Sequence, residues 1–255
     1  GENPFFTEWD TPHGVPPFDK ILPEHFMPAF ERGMSLHEAE IDAITSNKDE
    51  ATFENTILAY DDAGQMLAQT ELVFGMLCAA ETNDRMQALQ EQAMPLLAAH
   101  RDKIRLDDKL FVRVKEVYDR RAALGLDAEQ MRLLQKTYDS FVRAGALLDA
   151  EQKARLKEIN GQLSLTAVKF GNNILAENNN FVLELKSDEL DGLPAGIRDA
   201  AREKAQQMGK GDKWVFTLHK PSLIPLLTYS TRRDLREKIY KAYLNRCNNG
   251  DEYDN

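Results

Sequence analysis

Cysteine is scarce in this chain of 255 residues: Cys78 and Cys247 are the only two, and they form no CxxC pair. That excludes a disulfide framework and a cysteine-built zinc module, and a single bridge has no support from the spacing. Cys78 continues the apolar stripe of a helix and reads as a small core residue. Long apolar runs are missing too. The longest, Leu72 to Ala80, falls well short of the ~20 residues that span a bilayer. Basic residues number 32 against 42 acids, and the net charge of -10 argues against a general nucleic-acid or anionic-membrane surface.

Histidine is thin and scattered. None of His13, His25, His37, His100 and His219 has another within five residues, and none follows a glutamate at the three-residue spacing of di-iron helices. Zinc hydrolases place two imidazoles one helical turn apart with a carboxylate beside them, the HExxH arrangement, because that spacing aims both nitrogens at one ion. His37 and Glu38 begin it, but Ile41 stands where the second histidine must be. Nucleophile elbows, phosphate loops and dinucleotide fingerprints are equally absent, since GxSxG, GxxxxGK and GxGxxG do not occur. Neighbouring acids such as Glu38 with Glu40, or Asp61 with Asp62, are ordinary on solvated helices. No catalytic, cofactor-binding or metal-ligating residue is expected within this chain.

What is present is helical patterning, on a chain that is 42% hydrophobic. The stretch from Leu126 to Leu175 organises the rest. Asp127 with Gln130 reads as a capping box, flanked by Leu126 and Met131 at the staple positions. Met131, Leu134, Tyr138, Phe141, Val142 and Leu148 then step by three and four, giving one apolar face opposite Arg132, Gln135, Lys136 and Asp139. Asp149 with Gln152 repeats the start signal. A second stripe, Leu156, Ile159, Leu163, Ala167, Phe170 and Ile174, carries a helix of roughly 40 Å to about Ala176. A helix of that length is a framework element of a large protein.

Ahead of this pair, Pro4, Pro12, Pro16 and Pro17 among Phe5, Phe6, Trp9 and Phe18 predict an extended arm packed on the body. Pro23 and Pro28 suit first-turn positions before a stripe of Phe30, Met34, His37, Ile41 and Ile44. Thr52 with Asn55 opens the next helix, with Phe53, Ile57, Tyr60, Gly64, Leu67, Phe74 and Cys78 inward and Gly64 permitting close approach. Thr82 is read as the cap of a third helix with Met86, Leu89, Ala93, Leu97, His100 and Ile104 on one side and a kink at Pro95. His37 and His100 both fall on apolar stripes, which suits hydrogen-bonded core histidines. A fourth helix runs from about Asp108 to Leu124 and stops at Gly125.

After the central pair the period changes to two, in Phe181, Leu183 and Leu185 and again in Trp214, Phe216 and Leu218, which predicts two short paired strands. Ile197, Ala201, Ala205 and Met208 mark a helix between them, ending at Gly209. Pro221 starts a short helix through Leu227, and Thr231 with Asp234 reads as the cap of another burying Leu235, Ile239, Ala242 and Tyr243. The fold class is mainly α with one small two-stranded β element.

Five stretches, in order, resemble the N-terminal part of the zinc peptidases of the thimet oligopeptidase family, on the bacterial peptidyl-dipeptidase and oligopeptidase A branch. They are "NPFF" at Asn3 to Phe6, "GVPPFDKILPEHFMPAFERGM" at Gly14 to Met34 and "TFENTI" at Thr52 to Ile57. "SFVRAGALLDAEQKARLKEINGQLS" at Ser140 to Ser164 and "YSTRRDLREKIYKAYLNR" at Tyr229 to Arg246 complete the set.

The resemblance implies helical lobes of a neurolysin-like fold flanking a deep channel, and residues 1–125 and 126–255 as N-terminal lobe and framework leading into a catalytic domain. It implies zinc bound by residues downstream of this chain, short peptides as substrates and the chain's own C-terminal catalytic domain as partner. Release of C-terminal dipeptides would need a cationic clamp for the terminal carboxylate. Arg143, Arg232, Arg233 and Arg236 are available cations, read as exposed helix charges. The closing "NNGDEYDN" reads as a connection, and the abrupt start before the family-like region inclines the reading to an envelope location over the cytoplasm. The alternative is a free-standing helical binding or scaffold protein whose apolar stripes hold partner helices.

Overall fold

The proline-rich arm lies on the body through aromatic anchors. Phe5 is buried against Phe26, with ring centroids 5.4 Å apart, and the Trp9 indole N–H donates to the Pro4 carbonyl at 2.9 Å. Short 3₁₀ turns at Pro4–Phe6 and Pro12–Gly14 replace regular structure where the prolines remove donors. The computed structural model describes residues 2–255, in two units, Gly1–Val168 and Lys169–Asn255.

In the first unit, a turn at Pro23–His25 leads into α1, Phe26–Ser46, which buries Phe26, Phe30, Ile41 and Ile44. Thr52 and Asn55 form the expected reciprocal cap, but the turn they open is a π-turn, Phe53–Leu58, running into the short α2, Ala59–Asp62. The single helix expected to pass through Gly64 is therefore broken. Ala63 is extended and Gly64 is left-handed, with φ of 77°. A side chain there would meet the His37 ring at about 3.0 Å, so glycine serves both the turn and the close approach.

Helix α3, Gln65–Ala80, follows, and then α4, Asp84–Arg105. The cap of α4 is Asn83, not Thr82: its side chain accepts from the Met86 N–H, whereas Thr82 lies one residue outside that reach. Helix α5, Asp108–Asp119, ends earlier than its pattern suggests and passes through a 3₁₀ turn, Arg121–Ala123, before Gly125. Helix α6, Ala128–Arg143, begins on the Asp127–Gln130 capping box. Leu148 belongs to the connection after it, because Gly145, at φ of 102°, ends the helix. Helix α7, Ala150–Asn180, starts on the Asp149–Gln152 exchange and extends past the expected Ala176.

Two apolar cores serve this unit. One joins Phe5, Phe26, Phe30 and Phe74, whose Phe26 and Phe74 rings sit 4.9 Å apart, with Leu67, Ala93 and Leu97. The other joins Ile57, Leu110, Val114, Leu134 and Phe141.

The second unit holds the sheet. Strands β1, Leu183–Leu185, and β2, Trp214–Phe216, pair antiparallel with Leu183 opposite Phe216, as the two-residue period predicts. Helix α8, Ala195–Gln207, fills the excursion between them, and α9, Lys220–Tyr229, and α10, Arg233–Leu244, complete a core of Leu185, Leu218, Leu226 and Ile239. The expected Thr231 cap of α10 does not form. The Thr231 hydroxyl donates to Asp191 Oδ2 at 2.6 Å and Asp234 pairs with Arg232, so Arg232 occupies the cap position without a side-chain bond.

Candidate functional site

The first unit gathers its chemistry along α4. His37 of α1 and His100 of α4 each sit on an apolar stripe, and those stripes face each other, so the two imidazoles meet: His37 Nδ1 lies 3.0 Å from His100 Nε2. Glu38 Oε1 is 3.5 Å from His100 Nδ1, and its other oxygen takes Lys103 Nζ at 2.7 Å. The favoured tautomers follow from the charges. With Nδ1–H of His37 donating to His100 Nε2, the single N–H of neutral His100 sits on Nδ1 and faces the Glu38 carboxylate, so no lone pair points at that charge. Burial holds both histidines below their ordinary value of 6.5, and the neighbouring His37 adds to the lowering at His100. The Lys103 hydrogen bond keeps the Glu38 carboxyl below the ordinary range. Glu40 accepts from the Gly64 N–H at 2.6 Å, tying the same helix to the turn that admits His37.

This cluster does not fit a zinc ion. His37 Nδ1 and His100 Nε2 are spent on each other, Ile41 is buried in the core where a second helical histidine would be needed, and the Glu38 carboxylate lies at the other nitrogen of His100, paired with Lys103. Among the described residues no group of three or more histidine, cysteine, aspartate or glutamate side chains is placed to hold a metal. Both cysteines are free thiols, with burial raising Cys78 to about 11.

Beside the histidines, α4 and α7 border a cleft of about 660 Å³. Helix α7 is tethered at its beginning: Lys153 pairs with Asp108 across the α4–α5 corner, and Asn160 donates to Asp102 at 2.8 Å. Past Asn160 the walls are Leu163 and Ala167 on α7 and Met94 and Ala98 on α4. Three cations line the same space, Arg101 and Arg105 one turn apart on α4 and Arg143 from the end of α6. All three are exposed, and Asp102, the one acid there, is occupied by Asn160.

Of the arginines singled out from sequence, Arg143 therefore reaches a cleft. In the second unit Arg232 is held by Asp234 and Glu189, Arg236 donates to the Ser230 carbonyl, and Arg233 is exposed in the first turn of α10. The histidine pair was signalled in the sequence only as two separate core positions. Arg101 and Arg105 carried an i, i+4 spacing with nothing to mark what they face.

The chain is homologous to the bacterial dipeptidyl carboxypeptidases and oligopeptidases A, zinc metallopeptidases of the thimet oligopeptidase family whose motifs it resembles. In particular it is 36% identical over 253 residues to the dipeptidyl carboxypeptidase of Escherichia coli (strain K12) and 34% identical over 253 residues to that of Salmonella typhimurium. Oligopeptidase A of Escherichia coli is 26% identical over 250 residues. These alignments cover 99%, 99% and 96% of this chain, and the chain spans 37% of the length of each relative. No family model matches the chain. Among the described residues no helix is long and apolar enough to cross a membrane.

Proposed function

We propose that this chain is the N-terminal, non-catalytic segment of a zinc metallopeptidase that hydrolyses short peptides, releasing dipeptides from their C-termini, and that it helps wall the substrate channel. The observation that carries this is the extent of the homology: nearly the whole chain aligns with a dipeptidyl carboxypeptidase, yet it spans only 37% of that protein's length. The zinc ligands and the glutamate base belong, in this reading, to the remainder. Dipeptide release is preferred over internal cleavage because identity to the two dipeptidyl carboxypeptidases, 36% and 34%, exceeds the 26% to oligopeptidase A.

The test has two arms. The purified 255-residue chain is expected to show no zinc-dependent cleavage of a short peptide with a free C-terminus. The product of the complete native reading frame is expected to bind one zinc and release dipeptides. Hydrolysis by the chain alone, or a complete product that binds no metal, overturns the proposal. A frame that stops near Asn255 would instead favour a helical binding protein, the reading to which the open cleft gives some support.

A further inference from the structure

We propose that the cleft between α4 and α7 is a docking groove for an amphipathic helix whose apolar face is flanked by carboxylates one turn apart. Helices supply almost the entire lining, and their backbone donors and acceptors are already used internally. An extended segment would have to find a partner for every buried peptide group, and side chains such as Gln90, Ser164 and the lining arginines supply only a few, whereas a helix satisfies its own. The groove runs from Gln90 to Arg105 along α4, about 22 Å at 1.5 Å per residue, and from Leu156 to Val168 along α7, about 18 Å. That length takes three to four turns of helix.

Charge selects the occupant. The chain carries a net charge of -10, but this groove presents Arg101, Arg105 and Arg143 against one acid, Asp102, whose carboxylate already accepts from Asn160. Arg105 and Arg143 sit in the last turns of α4 and α6, where a cation suits the helix dipole. Inside the fold Tyr60 also hydrogen-bonds Arg105 and Glu71 faces Arg101, yet all three arginines remain exposed where they converge on one apolar space. Arg101 and Arg105, at i and i+4, match carboxylates with the same spacing on a facing helix. Leu163, 58% exposed, provides the apolar contact that such a helix would cover. The proposal concerns the groove as this chain presents it.

The experiment uses the 255-residue chain and two capped synthetic peptides of about 15 residues, an alanine-leucine amphipathic helix flanked by glutamates and the same sequence flanked by lysines. Fluorescence anisotropy at low salt is expected to show the glutamate peptide binding at least tenfold more tightly, with the preference shrinking as salt rises. The R101E/R143E variant, at two exposed positions, is expected to lose that preference and to gain binding of the lysine peptide. This swap distinguishes contact from a general loss of structure, and circular dichroism checks the variant's helicity. Leu163→Asp is expected to weaken the glutamate peptide without reversing the preference. Equal binding of the two peptides, unchanged binding by R101E/R143E, or self-association of the chain that blocks the groove would overturn the proposal.

Discussion

Helices α6 and α7 start with the same device and end in opposite surroundings. In α6 the Asp127 and Gln130 side chains exchange hydrogen bonds with each other's backbone N–H at 2.8 and 3.1 Å; in α7 Asp149 and Gln152 do the same at 2.9 and 3.2 Å. Both then carry apolar residues at three- and four-residue steps. In α6 that stripe is covered: Leu134 is fully buried, and Phe141 packs between Tyr60 and Phe111. In α7 it is open, with Leu163 at 58% and Phe170 at 52% exposure. Capping and periodicity specify a helix and its apolar face, but the neighbour that covers the face is specified elsewhere.

The largest effect that could break this contrast comes from one substitution made in both helices. Phe141→Ala should cost about 3–5 kcal/mol, since a buried ring leaves a cavity among Tyr60, Phe111 and Leu134. Phe170→Ala should change stability by no more than about 0.5 kcal/mol, as at other exposed sites. Urea denaturation of the two variants measures both. A comparable loss at Phe170 would mean that the open face of α7 is covered in solution, and the contrast would fail.

Acid should sharpen the comparison by loosening one side of the unit first. Because burial lowers both His37 and His100, the unfolded chain takes up protons more readily than the folded one as pH falls below about 6.5. Stability from this pair is thus complete above that pH and declines below it. Protonating both rings also sets N–H against N–H across 3.0 Å. Hydrogen exchange at pH 5 should rise in α1 and α4 before α6, which carries no histidine. His100→Ala should cost about 1–3 kcal/mol at pH 7.5 by removing the partner of His37, and should flatten the acid limb of a pH–stability curve. An acid limb unchanged in that variant would assign the sensitivity to carboxylates instead.

How far the sequence reaches is clear from where it stopped. Helix starts governed by neighbouring side chains were legible at Asp127, Asp149 and Thr52, and so was the strand period of Leu183 and Phe216, because the deciding contacts lie within a few residues. Boundaries that depend on competing partners were not. Thr231 is drawn to Asp191, forty positions away, and Gly64 turns where the His37 ring of α1 leaves no room for a side chain. The site behaves likewise. Core placement of His37 and His100 could be read from their stripes, but their contact spans 63 residues of sequence, and no local pattern announces that Arg143 shares a cleft with Arg101.

The smallest effects test whether the two matching caps are worth the same. Removing an N-cap side chain costs about 0.5–2 kcal/mol when the first turn is needed by the packing around it. Helix α6 meets that condition, since Leu134 and Thr137 are buried within its first three turns, so Asp127→Ala should lower global stability by about 1 kcal/mol. The first turns of α7 have other holds: Lys153 pairs with Asp108, Asn160 donates to Asp102, and Leu156 reaches the position where a side chain on Gly145 would sit. Asp149→Ala should therefore fray the residues ahead of Lys153 and cost about 0.5 kcal/mol, the low end for a lost cap. Paired urea midpoints for the single variants and the double variant measure both values, and the sites should add within about 0.5 kcal/mol. Equal losses would show that the beginning of α7 depends on its cap as α6 does, placing the difference between the helices wholly beyond Asn160.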